Sequence, residues 1–215
     1  MINNEMKTPT LHYIYDPMCG WCYAAAPLIA IAREVPNLDI VMHAGGMWTG
    51  AQIKHVTPQL RGYVLPNDQR IATLTGQPFG QAYFDGLLMD ETAVLNSEPS
   101  IKAILAIEQL GFSGLEALSR IQNAHFVQGL QVSRIDTLVT IAHEMGLNAE
   151  AFTSVFNQTD IKGHTDETKQ LMTKYQAQGF PTMLLQQGQT VERVNHSQFY
   201  GQPEAFRAAL ATQLN

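Results

Sequence analysis

Cys19 and Cys22 are the only cysteines of this 215-residue chain, and two residues separate them. An apolar run rich in β-forming residues precedes them and stops at Asp16-Pro17, and an alanine-rich segment typical of a helix follows them. At the start of such a helix, unpaired N–H groups and the helix dipole favour the thiolate of Cys19. Cys22 lies one turn further on the same side, within disulfide reach. The pair therefore predicts redox chemistry.

Two cysteines at this spacing can also form half of a zinc site. A structural zinc site needs four ligands, usually including a second cysteine pair or two closely spaced histidines. None of the seven histidines forms such a pair, and His143-Glu144 begins like a metalloprotease helix but lacks the second histidine. We therefore predict a redox pair without metal, in preference to a zinc site or to inert packing cysteines.

The composition limits the classes of partner that this chain is expected to bind. Hydrophobic residues make up 45% of the chain, charged residues only 15%, and the formal net charge is −6. The chain therefore lacks the excess of basic residues that would indicate binding to nucleic acid or to an anionic membrane. The start is polar, and no run approaches the length of a membrane span. We expect a cytoplasmic protein. Because cytosolic thiols keep accessible dithiols reduced, the cysteine pair should be a catalytic dithiol and not a structural disulfide.

Two segments with predicted strands flank a long helical segment. Residues 8–48 read as β-α-β, with strands at 11–15 and 38–44 that should be parallel because a helix connects them. From residue 49 to 164 the periodicity is helical without a comparable strand. The clearest helices within this segment are predicted at 100–111, 134–146 and 150–157.

The last segment returns to the first pattern. Thr165 is predicted to cap a helix that runs through Gln178, followed by a hairpin with strands at 183–185 and 191–194 and a final helix at about 203–214. The order β-α-β, helical block, α-β-β-α predicts an α/β, thioredoxin-like fold with a large all-helical insertion. The thioredoxin-like domain is then discontinuous, at 8–48 and 165–215, and the insertion domain covers 49–164.

The chain resembles the DsbA-like family of thioredoxin-fold thiol–disulfide oxidoreductases, in its signal-less, cytoplasmic branch. The resemblance covers nearly the whole length and rests on residues 15–23 around the cysteines, on the insertion from His125-Phe126 through Leu147, and on residues 179–182 before the hairpin. It implies that the bond before Pro181 is cis, that Pro181 packs beside the cysteines, and that the backbone of Phe180 pairs with an extended substrate. The predicted substrate-binding residues are Trp21, Phe180, Pro181 and Thr182, and Gly20 is predicted to be structural.

Two positions depart from that family's pattern. Gln176 stands where many relatives have a second glycine before the proline loop, so the loop's shape is left open. The dipeptide Gly20-Trp21 replaces the Pro-His of the periplasmic oxidant. Without that histidine, Cys19 loses a cationic stabiliser of its thiolate, and a less stabilised thiolate makes a less oxidising disulfide. We therefore expect this protein to be a weaker oxidant than the periplasmic enzyme.

Two nearby residues have ordinary structural interpretations. Asp16 is expected to cap the helix that follows the cysteines. His43, at the end of the second strand, is expected to be a hydrogen-bonded structural histidine rather than a proton carrier for the thiols.

The predicted reaction is thiol–disulfide exchange of the protein disulfide reductase or isomerase type, with Cys19 as nucleophile and Cys22 as resolving cysteine. It needs no cofactor, although glutathione is a candidate co-substrate and a thioredoxin or glutathione system should support turnover. The substrates would be protein or small-molecule disulfides or dithiols. One alternative is a glutathione-dependent small-molecule isomerase or transferase of related architecture, whose members generally lack the paired cysteines. Another is a non-catalytic peptide-binding module that uses the Pro181 loop.

Overall fold

The computed structural model describes residues 8–214, and the prediction from the polar start of the chain falls on residues 1–7, which lie outside this range, as does residue 215. The strands are β1 (Thr10–Tyr15), β2 (Asp39–Ala44), β3 (Lys54–His55), β4 (Val94–Leu95), β5 (Thr182–Gln187) and β6 (Thr190–Arg193). The α-helices are α1 (Gly20–Ala32), α2 (Pro58–Thr75), α3 (Ser97–Gln109), α4 (Gly114–Phe126), α5 (Ile135–Glu144), α6 (Ala149–Gln158), α7 (Lys162–Lys174) and α8 (Pro203–Leu214).

A four-stranded mixed sheet with the order β2-β1-β5-β6 brings together the two ends of the chain. β1 is parallel to β2 and antiparallel to β5, and β5 forms a hairpin with β6. The register pairs Tyr15 with Ala44, and Ile14 with Thr182. The chain therefore leaves β1 toward the cysteines at the same end of the sheet where Pro181 leads into β5. The predicted parallel pair and the predicted hairpin are both confirmed.

Helix α1 is anchored by small and branched apolar residues. Its buried positions include Ala24, Ala25, Leu28 and Ile29. Alanines allow close approach to the sheet, and each fully buried leucine or isoleucine contributes about 1.5–3 kcal/mol of hydrophobic free energy. Helix α8 packs against α1. These contacts fix the position of the first turn of α1, which carries the cysteine motif.

The insertion contributes a large part of the apolar core, which is continuous with that of the sheet and α1, and within it α3 packs against α4 and α6. Ile101, Ile104 and Ile107 of α3 are fully buried, as is Phe152 of α6. One antiparallel pair of two-residue strands, β3 with β4, also lies in this segment. The insertion is therefore not all-helical as we predict from sequence, because strands of two residues leave no alternation to detect. The α/β fold class is unaffected.

Helix α7 differs from its prediction at both ends. It begins at Lys162, whose N–H donates to Asp160 Oδ1 (2.9 Å), so the predicted cap at Thr165 is wrong. Thr165 instead lies inside the first turn and donates its hydroxyl proton to the carbonyl of Ile161 (3.1 Å). The N-cap position is Ile161, which has no capping side chain, and Asp160 before it supplies the acceptor for the first helical N–H.

The carboxyl end of α7 closes with a Schellman motif. The N–H of Ala177 donates to the carbonyl of Met172 (2.8 Å), and the N–H of Gln176 donates to that of Thr173 (3.2 Å). Gln176 therefore takes a left-handed conformation with φ +51°. This conformation explains why glycine suits the position, and it ends the helix before the predicted Gln178.

No helix within residues 8–214 combines the length and the apolar character that crossing a membrane requires.

Candidate redox site

Cys19 and Cys22 occupy the start of α1, as predicted. Cys19 is the N-cap residue, with extended backbone, and its carbonyl accepts the N–H groups of Cys22 and Tyr23, both at 3.0 Å. Both cysteines are free thiols. Cys19 is 7% exposed and Cys22 is fully buried. The Cys19 sulfur is therefore the one that a substrate can reach, and the buried Cys22 sulfur can react only with Cys19.

The environment of Cys22 keeps its thiol protonated. Burial raises the pKa of Cys22 well above the ordinary value, and the neighbouring Cys19 thiol raises it further. The backbone N–H of Asp16 donates to Cys22 Sγ (3.4 Å), which partly opposes this rise. The Tyr13 hydroxyl donates to the carbonyl of Cys22 (3.2 Å) and holds this turn against β1. The asymmetry matches an attacking Cys19 and a resolving Cys22.

The proline loop lies directly beside the outer thiol. The Phe180–Pro181 peptide bond is cis. The Cys19 thiol donates to the carbonyl of Phe180, with 3.6 Å between sulfur and oxygen. The Phe180 ring packs on Gly45 so tightly that any β-carbon there would collide with it. Thr182 is buried and donates its hydroxyl proton to the carbonyl of Gly179 (3.0 Å), so its side chain holds the loop instead of lining a groove.

Two residues near the carboxyl end join the proline loop to the cysteine motif. His196 Nε2 lies 3.2 Å from the carbonyl oxygen of Pro181 and must donate, since a carbonyl only accepts. The His196 ring meets Tyr200 edge-on, with centroids 5.7 Å apart, and Tyr200 stacks on Trp21 at 5.5 Å. The Tyr200 hydroxyl also donates to the carbonyl of Trp21 (3.4 Å). Burial lowers the pKa of His196, which favours the neutral ring.

Asp16 connects three segments of the site instead of capping α1, so the prediction for this residue is wrong. Its side chain is fully buried. Oδ1 accepts the N–H of Met18 (2.9 Å) and the hydroxyl of Ser97 (3.0 Å), and Oδ2 accepts the N–H of Met47 (2.7 Å). Burial raises the pKa of Asp16 and the three hydrogen bonds oppose that rise. Cys19 itself takes the capping position, which leaves Asp16 free to tie β1, the loop after β2 and α3 together.

A cavity of about 140 Å³ opens beside the outer cysteine. One wall is the first turn of α1, from Cys19 to Trp21, and another is Met47 with Trp48. The facing wall comes from the insertion, and its α2 residues are Tyr63, Val64, Asn67, Asp68 and Ile71. Trp21, which also lies under the guanidinium of Arg70 at 5.8 Å, therefore stands where we predict a substrate-binding residue.

A second buried carboxylate, Asp68, forms part of this cavity. It is 3% exposed, and its Oδ2 accepts the Tyr83 hydroxyl (2.7 Å). Burial raises the pKa of Asp68 to about 6, and the hydrogen bond from Tyr83 opposes that rise. Gly20 is required opposite it, because a β-carbon at Gly20 would collide with Asp68 Oδ1. The predicted structural role of Gly20 thus has a physical reason.

His43 lies away from the thiols. It belongs with His12 and Ile14 to the face of the sheet opposite Tyr13, because side chains alternate along a strand. Its Nε2 is 2.9 Å from Nδ1 of His12. Burial, followed by the neighbouring His12 and His164, lowers the pKa of His43 to about 4. The structural interpretation of this histidine agrees with these contacts.

The described part of the chain offers no group of three or more His, Cys, Asp or Glu side chains placed to hold a metal ion.

Several residues of the site are absent from the sequence-based prediction, and four of them are polar or ionisable groups close to the cysteine motif or the proline loop. Asp68 and Tyr83 come from the insertion, and His196 and Tyr200 come from the segment between β6 and α8. None belongs to a recognisable motif. Their positions depend on tertiary packing that neither spacing nor composition encodes.

Comparison with known proteins identifies the family. A family model described as DSBA-like thioredoxin domain matches residues 10–204. The chain belongs to this family. The cytosolic disulfide reductase DsbM from Pseudomonas aeruginosa shares 45% sequence identity, with 95% of this chain and 98% of that chain covered and a TM-score of 0.88. A structure of that protein with GSH matches at 44% identity, the same coverage and a TM-score of 0.87. The predicted fold and the predicted class, a thiol–disulfide oxidoreductase, are confirmed.

One more distant structure bears on the fold alone. A 2-hydroxychromene-2-carboxylate isomerase shares 16% identity over 96% of this chain and 99% of that chain, with a TM-score of 0.60. No curated protein matches the chain.

Proposed function

We propose that this protein is a cytoplasmic disulfide reductase or isomerase in which Cys19 attacks substrate and Cys22 resolves. The observation that carries the proposal is the asymmetry of the pair. The outer thiol lies in a cavity and against the proline loop, while the inner thiol is sealed and held protonated. The 45% identity to a cytosolic disulfide reductase supports the same direction of reaction.

In the proposed reaction, the Cys19 thiolate attacks one sulfur of a substrate disulfide and releases the other as a thiolate that takes up a proton. Cys22 then loses its proton and attacks Cys19 Sγ, which forms the Cys19–Cys22 disulfide and releases the second substrate thiol. Two electrons pass from the protein dithiol to the substrate. Two glutathione molecules, or a thioredoxin-type dithiol, return those electrons and restore the dithiol.

The site residues have distinct proposed roles. The proline loop lies beside Cys19, with the Phe180 carbonyl 3.6 Å from its sulfur, and the backbone of Phe180 aligns an extended substrate. Trp21 forms the apolar wall of the cavity. Thr182, whose side chain is buried, contributes by holding the loop. Glutathione is the proposed co-substrate, and the solved relative with GSH supports this choice.

The test is to equilibrate the protein in glutathione buffers of graded ratio, trap free thiols by alkylation and quantify the Cys19–Cys22 disulfide by mass. We expect one reversible two-electron transition, and insulin reduction that disappears in Cys19→Ser. Cys22→Ser should accumulate a mixed disulfide, because the resolving thiol is gone. Absence of a reversible disulfide contradicts the proposal. Glutathione-dependent conversion of a small molecule, or peptide binding, that persists with both cysteines replaced would instead support one of the two alternatives.

A further inference from the structure

Asp68 is a buried carboxylate that the exchange reaction does not use. It comes from the insertion, and its Oδ2 accepts a hydrogen bond from the Tyr83 hydroxyl (2.7 Å). The other oxygen lies against Gly20, the residue next to the nucleophile, without space for a β-carbon between them. A buried carboxylate usually has several donors or a cation as partners, because removing its charge from water is costly. Asp68 has only a neutral tyrosine in the described part of the chain.

The surroundings of Asp68 leave its charge largely unneutralised. The other ionisable groups that line its cavity are Cys19, Tyr63, Tyr83 and His125, and no lysine or arginine is among them. Burial keeps His125 neutral by lowering its pKa to about 4. Arg70, further along α2, directs its guanidinium onto Trp21. At neutral pH the carboxylate therefore places a negative charge against the first turn of α1.

We propose that Asp68 acts through its charge on Cys19 and makes the cysteine pair more reducing. This inference rests on the proposed function. The reduced pair carries a thiolate, whereas the disulfide carries no charge. A nearby anion therefore raises the free energy of the reduced form alone, and it opposes the stabilisation that the amino terminus of α1 provides. The disulfide becomes harder to reduce, and the dithiol becomes a stronger reductant of its substrate.

Asp68→Asn tests this directly, because asparagine keeps the shape and can still accept from Tyr83. At a pH above thiolate formation, we expect the equilibrium constant with glutathione to shift about tenfold toward the reduced protein, which corresponds to about 30 mV. The rate at which Cys19 is alkylated at a fixed pH should rise, because the reactive thiolate is no longer opposed by the carboxylate. The matched control is Asp39→Asn, which removes the same formal charge from an exposed position. It should leave both measurements unchanged.

Tyr83→Phe supplies a second, independent variant. It removes the hydroxyl that stabilises the carboxylate and so raises the pKa of Asp68 above its value of about 6. The variant should behave like the wild type at about pH 8, where Asp68 remains ionised, and like Asp68→Asn near pH 6.5, where more of it is protonated.

The results separate the two proposals. An unchanged glutathione equilibrium and an unchanged alkylation rate in Asp68→Asn, with a reversible disulfide, overturn the role of Asp68 and leave the proposed function standing. An equal shift in Asp39→Asn also overturns it, because net charge would then suffice. A wild-type protein without a reversible disulfide overturns the proposed function itself. Denaturation of each variant shows whether it is folded. If Asp68→Asn does not fold, Tyr83→Phe is compared with the wild type instead, and an equal glutathione equilibrium of the two at both pH values overturns the role of Asp68.

Discussion

The two buried carboxylates beside the cysteines differ in how completely they are satisfied. Asp16 accepts three hydrogen bonds from three separate segments, whereas Asp68 accepts one from a tyrosine side chain. Asp16 lies on the thioredoxin-like side of the site, and Asp68 lies on the insertion side. A fully satisfied carboxylate holds segments together, and an under-satisfied one retains a field that acts on its neighbours. The same residue type thus supports architecture at one position and chemistry at the other.

The largest expected difference between the two carboxylates is in the free energy of unfolding of the variants that lack them. Asp16→Ala leaves two backbone N–H groups and the Ser97 hydroxyl without their acceptor in a buried site. We expect it to lower the free energy of unfolding by about 3 kcal/mol or more, and Asp68→Asn to change it by less than about 1 kcal/mol. Urea denaturation measures both values. Equal losses in the two variants would contradict the distinction.

The contact between Gly20 and Asp68 can be tested by crowding it. Gly20→Ala should lower the free energy of unfolding by about 1–3 kcal/mol, because the added methyl meets the carboxylate. Gly62→Ala is the matched control, since a β-carbon there has no neighbour within 4 Å and Gly62 lies inside α2. It should raise stability by about 0.5–1 kcal/mol.

Combining Gly20→Ala with Asp68→Ala removes the colliding side chain. The loss of unfolding free energy in the double variant should then be smaller than the sum of the losses in the two single variants, by about 1 kcal/mol. Additive losses would show that the two residues do not meet.

His196 should affect substrate use more than stability. His196→Phe keeps a ring against Tyr200 but removes the donor to the Pro181 carbonyl, so the loop is held less firmly. We expect a loss of up to about tenfold in kcat/KM for a disulfide substrate, the equivalent of one hydrogen bond. His196→Gln retains an amide donor and should recover part of that loss. Equal activity of the Phe variant and the wild type would rule out this positioning role.

The pH dependence of stability should distinguish the site's acid from the histidine behind the sheet. The folded-state pKa of His43 is about 4, below its ordinary value of 6.5, so below about pH 6.5 the unfolded chain binds a proton that the folded chain does not. Stability is therefore lost as pH falls through this window. Asp68, with a pKa of about 6 instead of 3.8, acts in the opposite direction, because its folded form binds the proton first.

Urea denaturation between about pH 7 and 5 measures both contributions, each on the order of 1 kcal/mol. His43→Gln should make the loss of stability on acidification shallower. Asp68→Asn should make it steeper. Slopes that change in the same direction would contradict the assignment.

The sequence predicts the parts of this site that are local. The Cys19–Cys22 spacing and the proline before a strand are visible within a few residues, and the order of elements brings them to one end of a sheet. The partners that adjust them are not local. Asp68 lies in a polar helix, interrupted by a glycine and a proline, that shows no clear periodicity. His196 lies in a short 3₁₀ turn, and its role exists only because the chain folds back on Pro181.

The starts of helices also cannot be predicted fully from local sequence. Threonine and aspartate are both favoured at helix starts, yet α7 begins after Ile161, and Asp160 just before it accepts the N–H of Lys162. Asp16 is likewise a residue type that suits a cap, but two of its three donors, Met47 and Ser97, come from distant segments.

The low exposure of the outer thiol bears on which substrates the proposed exchange would favour. Cys19 is only 7% exposed, and a cavity lies beside it. Under the proposed function, a substrate disulfide has to reach into that cavity to meet the sulfur. We therefore expect a disulfide that protrudes, in an extended loop, a chain terminus or a tripeptide, to react faster than one set flat in the surface of a folded protein.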